Sequence, residues 1–252
     1  PTLRCRQNEP VTIIFTNKLK EPTTIHWHGL RIPIEMDGVP FLSQPPIMPG
    51  ETFTYTFTPP DAGTFWYHPH VNSVVQLGKG LVGAIIVEEE EPVVFDEEHT
   101  LILKHWHIDK QGQWKKLMIP RYSARMGTPG EWGTVNGKHE PVYQLKENAT
   151  TRLRIANVDN TLTYPIVVEG TDAWVIAIDG NPIKTPYKLK AHKISPGMRV
   201  DLAVHAPKQG ERFYVRFLKG KFPFPLCEFE SIASDIAERK PFPKLPLNPV
   251  PE

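Results

Sequence analysis

Thr24-Ile25-His26-Trp27-His28-Gly29, together with the downstream Phe65-Trp66-Tyr67-His68-Pro69-His70, decides how this chain is read. In an extended segment, side chains two positions apart leave the same face, roughly 6.5 Å apart at the usual rise per residue. His26 and His28 therefore point together, as do His68 and His70. Two such pairs on neighbouring strand ends converge into a nitrogen-rich pocket, and neutral imidazole is the commonest protein ligand for copper, zinc or iron. Neither motif carries a carboxylate or thiolate, which favours copper over calcium, magnesium or an iron–sulfur centre. One His-x-His pair alone says little, since a strand that happens to carry two histidines is more often structural.

Outward from these motifs, the composition is that of a strand-rich protein. The 252 residues include 27 Pro and 17 Gly beside many short apolar runs, which predicts strands joined by turns rather than long helices. That length accommodates two domains with proper cores. With 29 Lys+Arg against 28 Asp+Glu the formal charge is +1, so nothing electrostatic argues for a nucleic-acid partner. No apolar run approaches the roughly 18 residues that span a bilayer. The chain starts at Pro1 without a signal-like stretch and reads as a processed or trimmed product.

Taken in order, Val11 to Asn17 reads as a β-branched strand leading towards the first histidine motif. Gly29 lets the backbone approach the site closely or simply turns the chain. Asp37-Gly38 is an ordinary turn signal. Thr52 to Thr58 alternates aromatic and threonine, so Phe53, Tyr55 and Phe57 face a core. Leu81 to Val87 is the last apolar strand of a first domain, residues 1–92, and Glu88-Glu89-Glu90-Glu91-Pro92 reads as a solvated exit. A second domain, residues 98–235, opens with a strand ending in His105-Trp106-His107, a lone pair read as structural. His99, His139, His192 and His205 read as surface or packing histidines, and Asn148-Ala149-Thr150 fits a glycosylation sequon. Phe222-Pro223-Phe224-Pro225-Leu226-Cys227 is too proline-rich for an ordinary strand or helix, and residues 236–252 read as an extended linker. Cys5 and Cys227 either pair in an oxidising compartment or remain two unrelated thiols.

The motifs in sequence, His26-Trp27-His28-Gly29, Met36-Asp37-Gly38-Val39-Pro40, Ser43 to Gly50, Ala62 to His70 and Gly80 to Val87, resemble the first cupredoxin domain of a multicopper oxidase. Gly133 to Lys138, Thr151 to Asn157, Val175 to Gly180 and Ser195 to Leu202 resemble that family's second domain, a spacer without copper. The resemblance implies an all-β fold of two consecutive Greek-key cupredoxin sandwiches. It implies that His26 serves a type 2 copper, His28 and His68 one type 3 copper, and His70 the other. It further implies that Asp37 assists proton delivery to reduced oxygen, that the partners are O2 and a small reducing substrate or metal ion, and that the compartment is periplasmic or extracellular.

The departure from the family is the lack of a third-domain signature. Cys227 is followed by Glu228-Phe229-Glu230 and has no flanking histidine, whereas a blue type 1 copper site needs two His and one Cys. The expectation is therefore a front portion carrying half of the trinuclear ligands, inactive without a further cupredoxin domain. The alternative is a copper-free cupredoxin protein of structural or interaction type.

Overall fold

The computed structural model describes residues 1–219 and 222–250. Residues 1–88 build one unit: β1 (Thr2–Arg6), β2 (Val11–Thr16), β3 (His26–His28), β4 (Thr52–Phe57), β5 (Gly63–His68), a short α1 (Ser73–Gly78) and β6 (Gly83–Glu88). Its strands form a sheet in the order β1-β6-β5-β3, faced by the antiparallel pair β2-β4. Alternation explains the packing, since Trp27, Tyr55, Phe57, Phe65 and Val87 point between the two layers and are buried. The threonines of β4 face outward, as the period-2 pattern predicts.

The second unit is a larger sandwich. Its strands are β7 (Glu97–Trp106), β8 (Trp132–Val135), β9 (Val142–Lys146), β10 (Thr150–Asn157), β11 (Tyr164–Glu169), β12 (Ala173–Ile178), β13 (Asn181–Lys188), β14 (His192–Ile194), β15 (Arg199–His205), β16 (Arg212–Lys219) and β17 (Phe222–Ile232), with one helical turn, α2 (Pro120–Ser123). Six strands in the order β13-β12-β15-β10-β7-β8 pack on five in the order β14-β11-β16-β17-β9. Leu101, Leu153, Ile155, Val175, Leu202, Phe213 and Phe229 fill the space between them.

Two expectations require correction. Phe222 to Cys227 belongs to a strand, β17, and the reason lies in its neighbours: β9 pairs only with Glu228–Ile232, so the proline-bearing half is an edge where no ladder donor is needed. A bulge at Leu226 on β17, the extra residue opposite the Val215–Arg216 step of β16, absorbs the irregular register. Glu89 is not part of a solvated exit. It is buried and accepts a 2.7 Å hydrogen bond from Arg152 Nη1, while Asp201 accepts from Arg152 Nη2 at 2.8 Å and from Thr64 Oγ1 at 2.7 Å. This buried ion network joins the two sandwiches. The proline-rich stretch after Arg239 has no regular secondary structure through Val250, but it is docked: the Phe242 ring stacks on His205 at 4.1 Å, Leu245 is buried, and Asn248 bonds both Ala62 and Gly180. Pro251 and Glu252 lie outside the described residues.

Cys5 and Cys227 are free thiols, on β1 and β17 respectively. Burial pushes them up to about 11 and about 12, which keeps both protonated. Asn148 sits in a left-handed turn, with its amide donating to the Ile236 carbonyl at 2.9 Å. Among the described residues no helix is long and apolar enough to cross a membrane.

Candidate metal centre

β3 and β5 run antiparallel with His26 opposite His68, Trp27 opposite Tyr67 and His28 opposite Trp66. Because faces alternate, His26, His28, Trp66 and His68 share one side, while Trp27 anchors the other in the core. His70 follows just beyond the end of β5 and is exposed. The four imidazoles thus come together. One ligand nitrogen from each of His26, His28 and His68 lies within 4.8 Å of the others. His70 is not part of that three-nitrogen group, although its ring centroid is 5.4 Å from His26 and 6.4 Å from His68.

Ring orientation is set by the backbone. His26 Nδ1 lies 2.8 Å from the Asp37 carbonyl and His68 Nδ1 lies 2.9 Å from the Pro69 carbonyl. A carbonyl only accepts, so each Nδ1 carries a proton, and in the neutral ring each Nε2 keeps its lone pair. Outer hydrogen bonds of this type are how metal-ligating imidazoles are usually oriented. The Asp37 carboxylate also approaches His26 Nδ1, at 3.3 Å. Gly38 makes this approach possible: it has φ +74°, and a Cβ there would lie 1.8 Å from the Ile25 carbonyl oxygen.

The surroundings hold two of these imidazoles, His28 and His68, neutral. Burial, reinforced by the Arg199 guanidinium, pushes His28 down to about 3. Burial lowers His68 to about 4, against the opposing pull of its bond to Pro69. Neutral imidazole is the form that binds metal. Trp66 packs against both rings, 4.7 Å from His28 and 4.4 Å from His68 between centroids, tilted by 32° and 30°. By contrast, His105 Nδ1 accepts a 3.2 Å bond from the Gly130 N–H, a structural use of that ring.

Residues 1–92 and 97–224 each match the family described as multicopper oxidase. This chain belongs to the multicopper oxidases. The crystal structure of a multicopper oxidase from Pseudomonas thermotolerans is similar to it, with a TM-score of 0.94 at 48% identity over 100% of this chain and 61% of that one. Copper resistance protein A of Escherichia coli is 44% identical over 108 residues, 42% of this chain and 18% of that protein. Laccase-1 of Thanatephorus cucumeris is 31% identical over 242 residues, 85% of this chain and 41% of that protein. This multicopper oxidase chain therefore spans less than two thirds of each relative. Its two all-β units have the cupredoxin fold of those oxidases.

Family membership implies copper, and the residues of this oxidase fit it. The cluster offers several imidazoles, two Nε2 lone pairs fixed by backbone acceptors, and no competing carboxylate among the three convergent donors. Sequence reasoning missed Gly197, which lies against His28 from the second sandwich. No local signal marks it, because a glycine in a Ser-Pro-Gly turn reads the same whether or not a ring abuts it.

Proposed function

We propose that His26, His28, His68 and His70 hold copper as the front half of a trinuclear ligand set in a longer oxidase. In that reading His26 serves the type 2 ion, His28 and His68 one type 3 ion, and His70 the other. Residues 1–92 and 98–235 act as two cupredoxin domains, residues 236–252 lead towards a third that carries the type 1 copper, and the 252 residues alone do not turn over. The whole protein works in the periplasm or outside the cell. It takes single electrons from a phenolic or aromatic compound or a metal ion and reduces dioxygen to water.

Bound copper supplies the one-electron redox chemistry that imidazoles cannot. The chain's own residues do the rest. Backbone carbonyls of Asp37 and Pro69 aim two Nε2 atoms, and burial keeps His28 and His68 unprotonated and ready to bind. Asp37 places a carboxylate at the edge of the cluster, beside His26, where a proton can be held close to reduced oxygen.

The convergence of three imidazole nitrogens from two adjacent strands within 4.8 Å carries this reading. Copper(II) titration of the chain, followed by electron paramagnetic resonance, tests it. The parent binds and the His28→Ala/His68→Ala variant does not; equal binding by both discards the reading, and binding by neither favours a copper-free cupredoxin protein. A form extending past Glu252 is expected to consume dioxygen with such a reductant, and to lose that activity in the same double variant.

A further inference from the structure

The turn Ser195–Met198 connects β14 to β15 and reaches the first sandwich at the histidine cluster. Its Gly197 is held from both sides: the N–H donates to the Asn157 carbonyl at 2.9 Å, and its own carbonyl accepts from Arg199 Nη1 at 2.8 Å and from Trp66 Nε1 at 3.3 Å. One donor comes from each sandwich. Gly197 has φ +85°, and a Cβ there would lie 2.9 Å from His28 Cε1 and 3.0 Å from its Nε2. The Cε1–Nε2 edge of that ring therefore rests on Gly197, with Trp66 on its face.

Arg199 fastens the arrangement. It is buried, its Nε donates to the Thr64 carbonyl on β5 at 3.0 Å, and its guanidinium lies over the Phe65 ring. It also fills the space beside Gly29, where a Cβ would come within 2.3 Å of Nη2. Asp179 holds the other side of Arg199, through the backbone N–H at 2.8 Å and Nη1 at 3.3 Å. A single side chain thus ties the residue after His28, the strand that carries Trp66 and His68, and the glycine under His28.

We infer that Gly197 and Arg199 of the second sandwich are positioning residues for the His28 imidazole of the first. The metal role of this placement rests on the function proposed above. The placement itself does not. Close-packed contacts of this kind leave a ring one orientation, and outer partners of a ligating imidazole typically govern metal affinity by about 10–100-fold. The second sandwich, without copper ligands of its own, is then one wall of the metal centre.

The test uses the full chain and the variants Gly197→Ala and Arg199→Lys, which keeps the charge but cannot make both hydrogen bonds. In the metal-free protein, the His28 Cε1–H signal in a carbon–proton NMR spectrum, assigned by its loss in His28→Ala, shifts in both variants. Copper(II) binding weakens about tenfold and the copper hyperfine splitting changes. If Gly197→Ala fails to fold, Arg199→Lys carries the same two readouts. An unmoved His28 signal with copper affinity within about twofold of the parent overturns the inference, while the His28→Ala/His68→Ala control still reports on the proposed function separately. If that control binds copper like the parent, the proposed function fails, and the metal-free NMR signal alone decides the placement.

Discussion

His26 stands directly opposite His68 across the β3–β5 pair, and the Nδ1 of each is committed to a backbone carbonyl. The two Nε2 atoms are therefore presented by a rigid ladder rather than by loops, with His28 as the third convergent donor. His70 lies past the strand end and is exposed. An ordering follows for a single copper(II) ion on this chain. His26→Ala, His28→Ala and His68→Ala each reduce affinity by more than the roughly tenfold typical of an outer partner, whereas His70→Ala costs less. Calorimetric titration of the four variants measures it, and a His70→Ala loss as large as the others contradicts the three-nitrogen site.

The turn that brings Asp37 to His26 depends on Gly38. Its φ of +74° and the Ile25 oxygen at 1.8 Å from a built Cβ mean that Gly38→Ala must displace backbone on both sides. Destabilisation of about 1–3 kcal/mol is expected, read by urea unfolding. Gly50→Ala is the comparison, since Gly50 shares the positive φ but has nothing within 4 Å. Gly38→Ala should cost more by the steric part alone.

Much of this was legible because strand periodicity is local. Two His-x-His pairs point their imidazoles by residue spacing, and Thr52 to Phe57 declares its buried face in the same way. What could not be read depends on partners distant in the chain. Glu89 looks solvated within its acidic run, and only Arg152, 63 positions later, makes it a buried ion. Phe222 to Cys227 looks unfit for a sheet until β9 is seen to stop at Glu228, leaving the prolines on an edge. The register of His26 against His68, as distinct from their meeting, is likewise a property of the assembled sheet.

Asp201 is the hinge of the buried network between the sandwiches. It accepts from Arg152 Nε and Nη2, from Arg154 Nη1 and from Thr64 Oγ1, and all four residues are buried. Asp201→Ala leaves two guanidinium groups short of their shared acceptor, which in buried sites costs about 3–5 kcal/mol. Glu89→Gln keeps an acceptor for Arg152 and should cost about half as much or less. Urea unfolding curves of the two variants test the ranking, and equal losses would locate the strain elsewhere.

Acid should destabilise the second sandwich through its buried and half-buried histidines. Burial lowers the folded-state value of His99, against the pull of Glu98, and of His105 and His107, against that of Asp159. The sign follows from linkage: below the ordinary imidazole value of about 6.5 the unfolded chain takes up protons that the folded chain does not. The stabilisation is fully present above that value and drains as pH falls towards the lowered values. His99 packs against Tyr143 and Phe229, each 5.4 Å away, so His99→Phe keeps a ring there and removes the titration. Its melting temperature should fall less than the parent's between about pH 7.5 and 5.5, by about 2 °C. Parallel curves would show that His99 contributes nothing to the acid sensitivity.

Asn248 closes the docked proline-rich strap. Its Oδ1 accepts from the Ala62 N–H at 2.9 Å, and its Nδ2 donates to the Ala62 and Gly180 carbonyls, both at 3.0 Å. One side chain therefore bonds the first sandwich, the second and the strap together. At a part-buried surface each such bond is worth about 1 kcal/mol, and the sandwiches remain joined by the Asp201 network without it. Asn248→Ala should accordingly leave global unfolding within about 2 kcal/mol of the parent while releasing the strap. Amide exchange at Ala62 should quicken, and tryptic cleavage after Lys244 should appear early, because local opening there no longer has to break the clasp. Leu245→Ala, which removes the strap's buried apolar anchor against Ile176 and Ala203, should add to the release, and a strap as protected in the double variant as in the parent would show that proline stiffness alone holds it down.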